Sequence, residues 1–162
     1  MKRIAYSILL LTIISIFSSC SEENMEGPEE YLIFGHFYGF CAGDHCIQIY
    51  KLENGRLYED QNKTYPRYDE FYDALFVVLE NNYEQVNDLK NYFPEQLLNE
   101  TDTIIGCPDC ADGGGLYIEY KTDTIHRYWL IDQDISRVEP YLYEFMEKVN
   151  DKIDKIISMD KQ

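Results

Sequence analysis

Leu116-Tyr117-Ile118-Glu119-Tyr120 and Ile125-His126-Arg127-Tyr128-Trp129-Leu130-Ile131 flank Lys121-Thr122-Asp123-Thr124; beyond them Pro140 opens a run in which Leu142, Phe145, Met146, Val149, Ile153, Ile156 and Ile157 share one helical stripe. β-Branched and aromatic residues on either side of a short polar turn make a hairpin, and its facing aromatics support one another across the strands. Pro140 suits a first helical position, where its missing N–H would have had no partner. A hairpin leading into a long amphipathic helix needs a sheet face for that helix to cover, so this end of the chain points to an α+β domain.

Toward the N-terminus, residues 31–40 are rich in aromatic and β-branched side chains and Cys46-Ile47-Gln48-Ile49-Tyr50-Lys51-Leu52 alternates, so both read as strands with 41–45 as the loop between them. Asn54-Gly55 then separates the second strand from Arg56-Leu57-Tyr58-Glu59. Both turn residues tolerate positive φ, which makes strands two and three a hairpin. Residues 60–73, with Asn62, Pro66 and several charges, read as an irregular connection. Ala74-Leu75-Phe76-Val77-Val78-Leu79 is a continuous apolar stretch of strand length, expected at the centre of the sheet. Tyr83, Val86, Leu89 and Phe93 recur at near-helical spacing until Pro94 interrupts them, and Leu97 and Leu98 resume the apolar face. The expected fold is an antiparallel sheet built from two hairpin regions, with an interrupted middle helix and a long C-terminal helix on one face. Strand order is not encoded in these patterns.

Lys2 and Arg3 precede an apolar run over 4–17 and the small residues Ser18 and Ser19, which is the layout of a signal peptide. Broken by Ser7, Thr12 and Ser15, the run falls short of the ~20 apolar residues of a spanning helix. Phe17-Ser18-Ser19-Cys20 resembles the bacterial lipobox, with Phe17 where Leu is usual. That resemblance implies that Cys20 is acylated on its thiol and becomes the new N-terminus. Several acyl chains on one cysteine, at ~0.8 kcal/mol per buried methylene, anchor far more firmly than one. Residues 21–30 are acidic and without hydrophobic period, a solvated tether. An acidic cluster directly behind such a cysteine also resembles the surface-export signal of Bacteroidota lipoproteins.

The expected organisation is therefore a cleaved signal peptide over 1–19, a lipidated tether over 20–30 and one globular α+β domain over 31–160, a length that suits a single core. The formal net charge is −16, two units more negative once Lys2 and Arg3 leave. Such a surface repels phosphate backbones and excludes nucleic acid as a partner. The expected partner is a membrane, reached through the N-terminal lipid at the outer membrane and facing the cell exterior.

Cys41 and Cys46 are spaced C-x4-C and Cys107 and Cys110 C-x2-C, an even set in an exported chain, so disulfides are the default. Cys41 and Cys46 bracket a hairpin loop, where facing strand ends bring Cα atoms within the ~4.4–6.8 Å a disulfide needs. This favours Cys41 with Cys46 and Cys107 with Cys110; a cross pattern joining the two loops is the alternative. A thioredoxin-like reading of Cys107-Pro108-Asp109-Cys110 lacks the helix N-terminus that would stabilise a thiolate, because Ala111-Asp112-Gly113-Gly114-Gly115 leads into a strand. The same four cysteines, Cys41, Cys46, Cys107 and Cys110, beside His36 and His45, have the composition of a zinc site, which would require reduced thiolates in an oxidising compartment.

Asp109, Asp112, Asp132 and Asp134 supply hard oxygen ligands without the spacing of a calcium loop, and helix-start and turn roles account for them. A nucleophile elbow, a Walker loop, His-Glu-x-x-His and a dinucleotide fingerprint are all missing from the sequence. No catalytic residue and no cofactor is expected.

Phe34-Gly35-His36-Phe37-Tyr38-Gly39 with Cys41 and Cys46, Lys51-Leu52-Glu53-Asn54-Gly55, the run from Cys107 to Gly115 and Trp129-Leu130-Ile131-Asp132 together resemble a family of small uncharacterised lipoproteins of Bacteroidota. The resemblance spans most of the mature chain and implies location, not chemistry. The C-terminal hairpin, followed by Glu139-Pro140-Tyr141-Leu142 and an amphipathic helix, is also loosely similar to emfourin-type protease inhibitors. The function expected is a non-catalytic binding or accessory role, with protease inhibition and zinc binding as alternatives.

Overall fold

In the computed structural model, which describes residues 30–80 and 82–159, seven strands form one sheet. They are β1 (Tyr31–Phe37), β2 (Ile47–Glu53), β3 (Arg56–Asp60), β4 (Phe76–Val78), β5 (Ile104–Ile105), β6 (Gly115–Lys121) and β7 (His126–Asp132), in the order β4-β3-β2-β1-β6-β7-β5. The signal peptide and the tether up to residue 29, with Cys20, lie outside the described residues.

β1 holds the centre because it is apolar on both sides. Leu32 and Phe34 point into one hydrophobic cluster and Ile33 and Phe37 into the other, so the strand is stable only with both faces covered. Both its edges are paired antiparallel, to β2 with Phe34 opposite Tyr50 and to β6 with Phe34 opposite Ile118. The two expected hairpins form on either flank. In the first, Glu53 pairs directly with Arg56 across Asn54 and Gly55, whose φ angles of +48° and +72° fit the right-handed twist of the strands. In the second, β6 and β7 pair from Gly115 opposite Asp132 to Lys121 opposite His126.

One face of the sheet is covered by helix. After a 3-10 turn at Pro140–Leu142, α1 (Tyr143–Met159) buries Phe145, Met146, Val149, Ile153 and Ile156 against Leu32, Phe34, Ile118 and Trp129. Each such side chain contributes about 1.5–3 kcal/mol by leaving water. The middle helix is interrupted as expected, but it is wound as three 3-10 runs, Tyr83–Gln85, Asn87–Tyr92 and Glu95–Asn99. Pro94, with ψ at 115°, separates the last two.

The stretch 74–79 is not central. Only Phe76–Val78 is strand; it pairs with β3 alone and forms the sheet's edge, with Leu75 and Val77 exposed. Phe76 packs against the cluster on one face and Leu79 against that on the other, but Leu75 and Val77 stay in water, so the run resembles a buried strand in composition but not in position. β5 is also an addition to the expected pattern: it pairs parallel to β7, Ile104 with Leu130 and Ile105 with Ile131, in an otherwise antiparallel sheet. The α+β architecture stands with that one parallel edge.

Candidate functional site

Among the described residues no helix lies over the second face of the sheet. Its floor is Ile33, Phe37, Ile49, Tyr117, Tyr128 and Leu130, and its cover is the irregular segment 61–75, a strap that leaves β3, crosses the sheet toward β7 and returns to β4. A strap without regular structure must satisfy its polar groups by other means. Here two carboxylates, Asp60 and Asp109, do so directly, and a third, Glu119, acts through Tyr117, whose hydroxyl oxygen accepts from the Tyr72 N–H (3.0 Å).

At the strap's root, Asp60 is almost fully buried; its Oδ1 accepts from the N–H groups of Asn62 (3.0 Å) and Leu75 (2.9 Å). Its Oδ2 accepts from the Lys63 N–H (2.8 Å) and the Tyr72 hydroxyl (2.6 Å). In mid-face the buried Glu119 accepts from Tyr117 (2.5 Å) and Tyr31 (2.8 Å), and His126 Nε2 lies 2.9 Å from its Oε1. Phe71 of the strap stacks on the His126 ring with centroids 4.0 Å apart. At the far end Asp109 Oδ2 accepts from the Gly39 N–H (2.9 Å) and the Tyr65 hydroxyl (2.8 Å), while its Oδ1 accepts from the Gly114 N–H (3.1 Å).

Burial first, and then the neighbouring carboxylates, push the Tyr117, Tyr65 and Tyr72 hydroxyls far above the ordinary phenol range; for Tyr65 the Tyr68 hydroxyl ranks between burial and Asp109. These phenols stay protonated and act as fixed donors. Acceptor positions filled by such donors serve as anchors, not as general bases or metal ligands.

Asp109 also joins the two cysteine loops. Cys41 is bonded to Cys46 and Cys107 to Cys110, with Cα atoms 5.6 and 5.4 Å apart, the favoured pairing. Tyr38 packs against Gly114, whose φ is +76° and where a Cβ would lie 2.2 Å from the ring, so only glycine fits. The four sulfurs of the zinc alternative are thus bonded to each other. His36 Nε2 lies 3.0 Å from the His45 carbonyl oxygen, and His45 Nδ1 3.1 Å from Gln48 Nε2, so both histidines have structural partners. Among the described residues no group of three or more His, Cys, Asp or Glu side chains is placed to hold a metal ion.

After Cys107-Pro108-Asp109-Cys110 comes one 3-10 turn over Cys110–Asp112 with Ala111 and Asp112 at positive φ, so the segment that follows the motif presents no α-helix N-terminus to the sulfurs. The other aspartates take local roles. Asp134 caps Ile135–Arg137 by accepting from the Ser136 N–H, and buried Asp132 accepts from the N–H groups of Cys107 and Asp134. Sequence reading missed Asp60, Glu119 and the strap aromatics. The available signal was Tyr65, Tyr68, Phe71 and Tyr72 crowded into a segment otherwise charged like a loop.

No protein-family model, no curated protein and no solved structure matches the chain. Among the described residues no helix is long and apolar enough to cross a membrane.

Proposed function

We propose that this chain is a lipoprotein held by acyl groups on Cys20 at the outer membrane, facing the cell exterior, and that its folded domain works by binding a partner rather than by catalysis. One observation carries the anchor: Lys2 and Arg3, the apolar run and Ser18-Ser19-Cys20 follow one another in the order that export and lipidation require. Two disulfides suit an oxidising compartment. The binding role draws on the strap-covered face, where Asp60 and Asp109 are occupied in holding the strap and Glu119 in holding Tyr117 beneath it, while the strap's aromatic rings stay partly exposed. A protease-inhibitor reading has only the order of hairpin and helix behind it, which unrelated folds share.

The test is metabolic labelling with a clickable palmitate analogue, followed by protease shaving of intact cells. The native chain is expected to take up label and to be cut by external protease, and Cys20→Ala to lose the label. Label retained by Cys20→Ala would remove the anchor; label with full protection from protease would move the domain to the inner leaflet.

A further inference from the structure

The strap that covers the second sheet face leaves part of its own surface open. Tyr65, Tyr68 and Phe71 remain 36, 40 and 43% exposed, and Phe40 follows Gly39 at the same end with 84% exposed. Tyr65 and Phe71, with Tyr72, line a hollow of about 250 Å³ whose other lining residues include Arg67, Glu70 and Asp73. Among the described residues that line it Arg67 is the one cation, and its Nε sits 2.9 Å from Glu70 and 3.7 Å from Asp69, all three side chains being more than half exposed. Exposed pairs of that kind exchange easily for another cation.

The same sheet face shows how this protein holds an ammonium group. Lys51 Nζ lies 5.4, 5.1 and 5.3 Å from the ring centroids of Tyr31, Tyr58 and Phe76, and 2.9 Å from Glu53. Rings offer the negative face of their quadrupole and a carboxylate completes the charge. The strap hollow repeats that composition with an exchangeable arginine at its rim. Charge complementarity selects the occupant: a chain of net charge −16 repels a second copy of itself and attracts a basic segment.

We propose that the hollow in the strap receives a lysine or arginine side chain from a basic, extended segment of a partner protein, with Tyr68 and Asp69 continuing the contact along the chain. This rests on the binding role proposed above and names its partner class.

The test is calorimetric titration of the full lipidated chain in detergent with a synthetic twelve-residue Lys/Ser peptide, with its Glu/Ser counterpart as control. The Lys peptide is expected to bind saturably at one site and the Glu peptide not at all. Glu70→Gln with Asp73→Asn should weaken binding about tenfold, or about 1.4 kcal/mol, whereas Glu144→Gln with Glu147→Gln on α1 removes the same charge and should change it by no more than about twofold. Arg67→Ala, which vacates the rim and leaves the fold's anchors alone, should tighten binding more than Lys155→Ala does. Equal effects of the two carboxylate pairs would mean diffuse attraction and overturn the proposal. So would an absence of saturable binding, or binding of a neutral oligosaccharide in place of the peptide. A labelled, surface-exposed chain that fails the titration sinks this proposal and spares the lipoprotein reading; a chain that binds but carries no lipid does the reverse.

Discussion

Asp109 sits in a short loop between two bonded cysteines, yet its carboxylate ties together the β1–β2 loop at Gly39, the strap at Tyr65 and its own loop at Gly114. Asp109→Ala leaves those donors short of an acceptor and is expected to cost about 1–3 kcal/mol, read as a lower urea midpoint, with faster amide exchange concentrated in 61–75. Trp129 offers a contrast. It is fully buried, but among the described residues its indole N–H has no acceptor. Trp129→Ala should therefore cost about 3–5 kcal/mol through the cavity, and Trp129→Phe much less, because no acceptor loses its donor. Thermal unfolding of the two variants separates these terms; equal losses would mean that the indole N–H matters after all. None of this was legible residue by residue. Tyr65 and Asp109 are 44 positions apart and Tyr31 and Glu119 are 88, and no local pattern relates residues so distant.

Elements whose chemistry is local were legible. Asn54-Gly55 specifies a two-residue turn through its backbone freedom, the stripe from Leu142 to Ile156 specifies a helix by its period, and C-x4-C across a loop brings two sulfurs together by chain geometry alone. Cys41→Ser with Cys46→Ser opens a loop of only a few residues, so the expected loss is about 2 kcal/mol, measured as a urea-midpoint shift that reducing agent equals or exceeds in the native chain, where it opens Cys107–Cys110 as well. Elements whose character depends on their neighbours were harder to read. The 74–79 run has the composition of an inner strand, but whether such a run lies inside or at the rim depends on what pairs beside it. The middle segment has helical spacing, yet its runs of three, six and five residues, separated at Val86 and at Phe93-Pro94, close as 3-10 turns, which need fewer residues per hydrogen bond.

At the scale of the whole molecule, pH acts through groups whose environment folding changes. His36 stands on the helix-covered face, and burial, as the largest influence, lowers its pKa below 6.5, against the opposing pull of its bond to the His45 carbonyl and of Asp154. The folded chain therefore takes up this proton later than the unfolded one; stability is intact above the unfolded value and falls as pH drops through the window beneath it. Urea midpoints at pH 7.5 and 5.0 should fall further for the native chain than for His36→Gln, and parallel declines would show that His36 does not contribute. The sequence alone determined six of the seven strands, two hairpins, a terminal helix and the disulfide loops, because backbone preference, turn chemistry and apolar period act over a few residues. Only the tertiary structure decided that β1 is central, that 74–79 is an edge, that 61–75 covers the second face and that tyrosines and carboxylates meet there. Those outcomes follow from burying the apolar surface of the whole chain at once, a condition no short stretch contains.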